Sequence, residues 1–388
     1  MGTRNDNRLD RSFAWFTTTQ FLGALNDNLF RWLIFYFLIA TPGSDRSDTV
    51  SQAIQAVFVL PFLLFTPMAG RLADRYTKRD LIVLACGADL LIMLGGCTAF
   101  VVRNPLGLYA VLFLTCAQSA FFGPSKYGII PELVEHSNLS RANGVINGLT
   151  YLAGVLGTVG AVLLAWGLSP HYALAAITCV VVSAMGLIAS LPIRRTPRGA
   201  CEGNIVSWRA LAKPIAAIRT NHDLGLAVLA SAYFNLLAGL FAIALIPYGI
   251  RHLGLPPIQS GYLFLVTAIG IAMGSYLAGH LSARSVEAGL IPVGAIGLFA
   301  ASVALAWVPE GHVTEAIFFI ALMGMSGGLF LVPVSALIQW LSPQPIRGQV
   351  LAVSKWLDWA GVLASAGLSW ALTAMGLSST GVFVSAGV

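Results

Sequence analysis

The chain is 388 residues long, 57% apolar and only 10% charged, with a mean hydropathy of +0.80 and a net charge of +6. A soluble protein carries about 25% charged residues, so a water-soluble fold is excluded. Most of the 22 basic residues lie between the apolar stretches, which speaks of membrane topology rather than nucleic acid. None of the five cysteines is paired at CxxC spacing, which leaves no disulfide scaffold to read.

A membrane span needs about 20 mostly apolar residues. Span 1 is predicted at 12–40. It is too long for the apolar core of a signal peptide and lacks an A-x-A cleavage site, so it is expected to stay as a membrane helix. Its middle holds Gln20, Gly23, Asn26, Asp27, Asn28 and Arg31. An ionised carboxylate at that depth costs about 2.5–3.5 kcal/mol on insertion scales, which makes Asp27 a candidate for function. Steps of three and four place Gln20, Gly23, Asp27 and Arg31 on one helix face. Two readings stay open: Asp27 binds a cargo group, or it only neutralises Arg31 one turn on.

Spans 2 and 3 follow at 50–70 and 81–102, joined by a loop that reads Gly70-Arg-Leu-Ala-Asp74-Arg75-Tyr-Thr-Lys78-Arg79-Asp80. Asp89 within span 3 is either a packing residue or a proton site. Spans 4, 5 and 6 are predicted at 106–124, 142–168 and 171–192. Lys126 at the end of span 4 either meets cargo or snorkels to the interface. Span 5 aligns Asn143, Asn147, Tyr151 and Gly154. A polar, basic segment at 194–222 then separates spans 7 to 11, near 223–250, 258–281, 287–308, 314–341 and 349–375. Asn235 lies in span 7. Lys355 and Asp358, three apart in span 11, form either an intrahelical pair or part of a cargo site. The apolar stretch 378–388 is half a span long, so the chain is expected to stop inside span 12. Asp80, Ser140 and Asp223 are expected to cap spans 3, 5 and 7.

With the N-terminus inside, seventeen of the 22 basic residues fall on the cytoplasmic side and only Arg46, Arg103 and Arg251 outside. Two further basic residues, Arg31 and Lys355, sit in spans. A shift of 209 residues pairs Asn26 with Asn235, Gly70 with Gly279, Leu72 with Leu281, Arg75 with Arg284 and Pro124 with Pro333. The expected organisation is therefore an N-terminal six-helix half at 1–193, a cytoplasmic loop at 194–222 and a C-terminal half at 223–388. Two such halves around a midplane site are a transporter architecture.

The segment from Gly70 to Asp80 resembles the G-x-L-a-D-r-x-x-k-R signature of the major facilitator superfamily. That resemblance implies an all-α membrane protein with two six-helix halves. It also implies a gate formed by Gly70, Asp74, Arg75 and Arg79, in which Asp74 docks on a helix N-terminus of the other half. The second copy, Gly279-His-Leu-Ser-Ala283-Arg284, lacks the aspartate, so any latch is expected to be asymmetric. Two further segments, Thr19–Asn28 and Phe122-Gly-Pro-Ser-Lys126-Tyr-Gly-Ile-Ile-Pro-Glu-Leu133 followed by Arg141-Ala-Asn-Gly144, resemble the bacterial lysophospholipid transporter family. The likeness covers the first 155 residues well and the second half only as a generic facilitator.

The family resemblance implies a flippase that moves lysophospholipids from the outer to the inner leaflet of a bacterial inner membrane, for reacylation. Members occur alone or fused ahead of an acyltransferase and an acyl-ACP ligase. A lysophospholipid headgroup asks for cations or donors at its phosphate and an acceptor at its ammonium. The candidate substrate-binding residues are Asn26, Asp27, Asn28, Arg31, Lys126, Asn147, Tyr151, Asn235, Lys355 and Asp358. No cofactor, metal or nucleic-acid partner is expected, and a monomer is. The alternatives are an exporter of drugs or siderophores, and a scaffold that presents lipid to a fused acyltransferase. An enzyme is not expected: no histidine has an aspartate five residues on, His136 facing Arg141 and His222 facing Ala227 at that spacing.

Overall fold

The computed structural model describes residues 10–40, 47–168, 171–197, 211–282 and 286–374. Among these the chain forms eleven long α-helices and no strand: α1 (Arg11–Ala40), α2 (Ser47–Arg75), α3 (Lys78–Val102), α4 (Pro105–Leu133), α5 (Leu139–Gly167), α6 (Tyr172–Ser190), α8 (His222–Arg251), α9 (Pro257–Leu281), α10 (Leu290–Trp307), α11 (Val313–Leu341) and α12 (Arg347–Ala374). A short helix, α7 (Ala212–Thr220), lies within the stretch expected to be a polar loop. Eight of the long helices are long and apolar enough to cross a membrane, and α2 makes a ninth as two segments, Val57–Thr66 and Met68–Arg75, bent by 52°. Helices α1 and α12, at 30 and 28 residues, are also long enough to span, and they carry the charged candidates. The expected half-span 378–388, together with Arg46, Ala283 and Arg284, lies outside the described residues.

The predicted boundaries hold to within a few residues except at three places. The fourth helix runs on to Leu133, through Pro124 and Pro131, where the sequence suggests an end at 124. A proline removes one backbone donor and kinks a helix, but a long apolar helix carries on past it. Gly70, Asp74 and Arg75 lie in the last turns of α2, not in a loop. The expected caps are also corrected. Thr77 holds the N-cap position of α3 but makes no side-chain capping bond, its hydroxyl donating instead to the Asp80 carboxylate at 2.6 Å, and Asn221 caps α8 by accepting from the Leu224 amide at 3.1 Å. Asp80 and Asp223 instead occupy first turns, where a carboxylate suits the helix dipole. The Ser140 hydroxyl is buried without a hydrogen-bond partner, so it caps nothing.

The chain divides into two compact units. The first comprises Met1–Val134, Ala153–Ala217 and Ser342–Trp356; the second comprises Glu135–Leu152, Ile218–Leu341 and Leu357–Val388. In the first unit α3 packs on α4 and α6, α1 on α6, and α2 on α4. Its core is an aromatic cluster in which Phe37 meets Phe100 edge-on at 5.3 Å and Tyr172 at 5.4 Å. In the second unit α11 is the central helix, packed by α8, α9 and α10. Helices α9 and α11 meet through glycine: a Cβ on Gly270 would stand 3.2 Å from the Cα of Gly324, and one on Gly324 would stand 3.2 Å from that of Gly270. Small residues let backbones this close pack in a membrane, where no hydrophobic force drives helices together.

Candidate functional site

The polar turn of α1 sends consecutive side chains to different neighbours. Asn26 is fully buried and donates through Nδ2 to Asp89 Oδ2 of α3 at 3.3 Å. Asp27 Oδ2 accepts from the Ser119 hydroxyl of α4 at 2.9 Å. Asn28 donates to the Ala24 carbonyl at 2.8 Å and accepts from Arg31 Nη2 at 3.1 Å. The Arg31 guanidinium stands over two rings, 4.7 Å from the centroid of Phe58 and 5.8 Å from that of Trp32. Cation–π contacts of this kind are worth about 0.5–2 kcal/mol. No ion pair joins Asp27 to Arg31 among the described residues. Gly157 of α5 gives the turn room, since a Cβ there would stand 2.9 Å from the Asn28 Cβ.

A second cationic feature belongs to the same unit. Lys126 of α4 and Lys355 of α12 both face the ring of Tyr127, with their ammonium nitrogens 5.4 and 4.7 Å from its centroid. Lys126 has no carboxylate within ion-pair distance among the described residues. It is close enough, however, to act electrostatically on Asp27, as do Asp89 and Arg31. The first unit thus offers an acceptor, Asp27, and three cations, Arg31, Lys126 and Lys355, none of which is consumed by an ion pair with Asp27.

Asn147, Tyr151, Asn235 and Asp358 belong to the second unit. Asn235 donates to the Ser231 carbonyl one turn back at 2.9 Å, and Asp358 accepts from the Ser231 hydroxyl at 2.7 Å. Asn147 is buried, and its Nδ2 has no hydrogen-bond partner. Tyr151 borders an apolar cavity of about 230 Å³, lined further by Phe234, Leu237, Phe241, Ile271 and Met323. Asn143 and Gln339 form a reciprocal amide pair at 2.8 and 2.9 Å.

The gate candidates separate into two groups. Asp74, 3% exposed, accepts the Gly348 amide at 2.6 Å on Oδ1, and the Gln349 amide at 2.9 Å on Oδ2. The Gln349 side chain adds a third donor at 3.2 Å. These amides belong to the first turn of α12, whose N–H groups have no partner within the helix and carry the positive end of its dipole. Gly70 permits the approach, because a Cβ on it would stand 2.7 Å from the Gly348 carbonyl oxygen. Arg79 does other work. It donates to the carbonyls of Ile193 at 3.2 Å and Leu191 at 2.7 Å, tying α3 to the chain that follows α6. The Arg75 guanidinium lies 5.8 Å from the Tyr76 ring.

Several residues in these contacts carry no signal as single letters. Ser119 and Ser183 are hydroxyls scattered in apolar helices, and Gly348 and Gln349 act through backbone amides. Lys78 of α3 and Glu132 of α4 form a short ion pair at 2.5 Å, both largely buried, and each stands inside a motif that the sequence displays without indicating the pairing. Among the described residues no group of three or more His, Cys, Asp or Glu side chains is placed to hold a metal ion.

Residues 20–366 match the family model of the Major Facilitator Superfamily, and the chain belongs to that superfamily. It is an all-α, multi-pass membrane protein of the facilitator fold. Among characterised relatives it is similar to the lysophospholipid transporter LplT of Klebsiella pneumoniae, 28% identical over 383 residues, which cover 95% of this chain and 90% of that protein. It is likewise similar to LplT of Salmonella schwarzengrund, 29% identical over 364 residues, 90% of this chain and 85% of the relative. Among solved structures it is similar to the facilitator FucP in its outward conformation, with a TM-score of 0.79 at 17% identity over 96% of this chain and 95% of that one. A bacterial homologue of the iron transporter ferroportin gives a TM-score of 0.72 at 17% identity, over 97% of each chain. At these identities the structural likeness is one of fold.

Proposed function

We propose that this chain is a secondary transporter, a flippase that moves lysophospholipids across a bacterial inner membrane from the outer to the inner leaflet. It works by alternating access, with its N-terminus in the cytoplasm, and releases its cargo for reacylation by an acyltransferase and acyl-ACP ligase, fused or separate. The observation that carries the reading is the separation of Asp27 from Arg31, with Lys126 and Lys355 at Tyr127 in the same unit. An acceptor and cations that are not locked in an ion pair with it suit a zwitterion: Asp27 takes the ammonium of an ethanolamine headgroup, and Lys126 takes the phosphate. The similarity to LplT proteins supports the cargo class. In the cycle, Asp74 releases and regains the Gly348 and Gln349 amides, and the gate opens and shuts with them.

The test is uptake of labelled lysophosphatidylethanolamine by the full chain in liposomes, with unlabelled lysolipids, drugs and siderophores as competitors. Competition by lysolipids alone is the expected result. Uptake that a drug or siderophore blocks and a lysolipid does not would remove the proposal.

A further inference from the structure

The cations of the first unit stand at different depths. The hydrogen bond from Ser119 to Asp27 sets the level of α4 against α1, and these two spans run in opposite directions. With the N-terminus in the cytoplasm, Arg31 lies one turn beyond Asp27 on α1, about 6 Å toward the outer end. Lys126 lies beyond Ser119 on α4, about 10 Å toward the inner end. The electrostatic neighbours agree: Cys116, which precedes Ser119 on α4, acts on Arg31. Lys355 joins the inner level through the Tyr127 ring, on the helix whose first turn holds Asp74. Asp27 thus has one cation on its outer side and two on its inner side.

The outer cation is held without a counter-charge. No carboxylate stands within ion-pair distance of Arg31 among the described residues. Its hydrogen bond goes to the neutral amide oxygen of Asn28 at 3.1 Å, and its other support is the rings of Phe58 and Trp32. A guanidinium presents a rigid fork of N–H donors, and one bond leaves most of it unused. The Trp32 Nε1–H, on the ring that Arg31 faces, is buried with no hydrogen-bond partner. Leaving such a donor unmet is costly. A forked cation and an unmet N–H side by side match the oxygens of a phosphate.

We propose that Arg31 and Trp32 form an outer phosphate station, separate from the inner one at Lys126 and Lys355, and that the cargo's phosphate passes from the outer to the inner station while Asp27 keeps the ammonium. The relay rests, for its cargo, on the lysophospholipid reading, to which it adds a second site and an order of events. An ethanolamine headgroup joins its ammonium to its phosphate through a short ethylene bridge. With the ammonium on Asp27, the phosphate turns outward to Arg31 or inward to Lys126. The backbones of the two cations are about 16 Å apart in level, and each side chain is held at its own rings, Arg31 at Phe58 and Trp32, Lys126 at Tyr127. The two therefore serve the phosphate in turn, and it never crosses the apolar interior without a donor, where the cost would be high.

The test is flux of labelled lysophosphatidylethanolamine by the full chain, uniformly oriented in liposomes, with cargo supplied at the outer face in one arm and at the inner face in the other. Arg31→Gln is expected to raise the half-saturating concentration at the outer face roughly tenfold, the size of one charge-assisted bond, with little change at the inner face. Lys126→Gln gives the mirror image. Trp32→Phe keeps the ring and removes the N–H, so it raises the outer value alone and by less; Arg31→Lys recovers part of the loss because the charge is kept. A merely structural Arg31 would weaken both faces alike. Equal changes at the two faces in Arg31→Gln, or an outer face that neither Arg31→Gln nor Trp32→Phe alters, overturns the relay and leaves the flippase reading standing. A wild-type chain that moves no lysolipid from either face overturns that reading, and the relay with it.

Discussion

Asp27 and Arg31 stand one helical turn apart on α1 and do not pair: Asp27 accepts from Ser119, and Arg31 lies on Phe58 while donating to Asn28. An i, i+4 pair in a membrane helix would be the cheapest way to neutralise both charges. That the chain instead supports each charge separately leaves both available to a third party.

Asp27→Asn should therefore discriminate between headgroups. A charge-assisted hydrogen bond contributes about 1.5–3 kcal/mol, so the apparent affinity for lysophosphatidylethanolamine falls roughly 10- to 100-fold. Lysophosphatidylglycerol, which has no ammonium, is affected little. Uptake of the two labelled lipids in parallel checks this, and equal losses would leave Asp27 with a structural role only.

Lys126→Ala acts on the group that all lysophospholipids share. It is expected to weaken uptake of the ethanolamine and glycerol lipids alike, with Lys126→Arg restoring part of the loss because the charge is kept. Lys355 faces the same ring as Lys126, so the double alanine variant should show coupling rather than simple addition. Additive losses across that cycle would separate the two lysines.

The Asp74 contact yields a local prediction that needs no transport assay. Asp74→Ala strips the Gly348 and Gln349 amides of their acceptor, and each unmade buried bond costs about 1–3 kcal/mol. Hydrogen exchange at those two amides should accelerate, while exchange in the middle of α12 stays as it was. Gly348→Ala should act the same way from the other side, since its Cβ would stand 2.6 Å from Asp74 Oδ1.

Much of the fold was written in apolar runs, because a bilayer rewards length and apolarity directly. The spans were legible to within a few residues, and the continuation of α4 beyond Pro124 was not, since a kinked helix and a finished one share the same letter. The site was half legible. Asp27 and Arg31 stood out by their cost in a membrane. Their partners did not, because Ser119 and Ser183 are inexpensive in an apolar helix and match no spacing. Asn26 shows the limit most clearly. It adjoins Asp27 in sequence but faces Asp89, and only the hydrogen bond between α1 and α3 reveals that.

The Lys78–Glu132 pair gives a prediction about stability. Both side chains are largely buried, at 7% and 18% exposure, and their 2.5 Å contact ties the start of α3 to the end of α4. Removing one partner of a buried pair costs about 3–5 kcal/mol when the other charge is left wholly uncompensated, and here the loss falls toward the lower end, because Arg347 also acts on Glu132. An exposed pair would contribute about 0–1 kcal/mol. Lys78→Ala should therefore lower the melting temperature of the purified protein clearly. Arg194 should keep its place, because it bonds the Glu132 backbone carbonyl at 2.6 Å and not the carboxylate. Replacing both partners, Lys78→Met with Glu132→Leu, removes both desolvation costs and should recover much of the loss. Thermal melting of the three proteins in detergent decides the matter: a double variant no more stable than Lys78→Ala would mean that the charge itself, not its compensation, is what this end of the first unit requires.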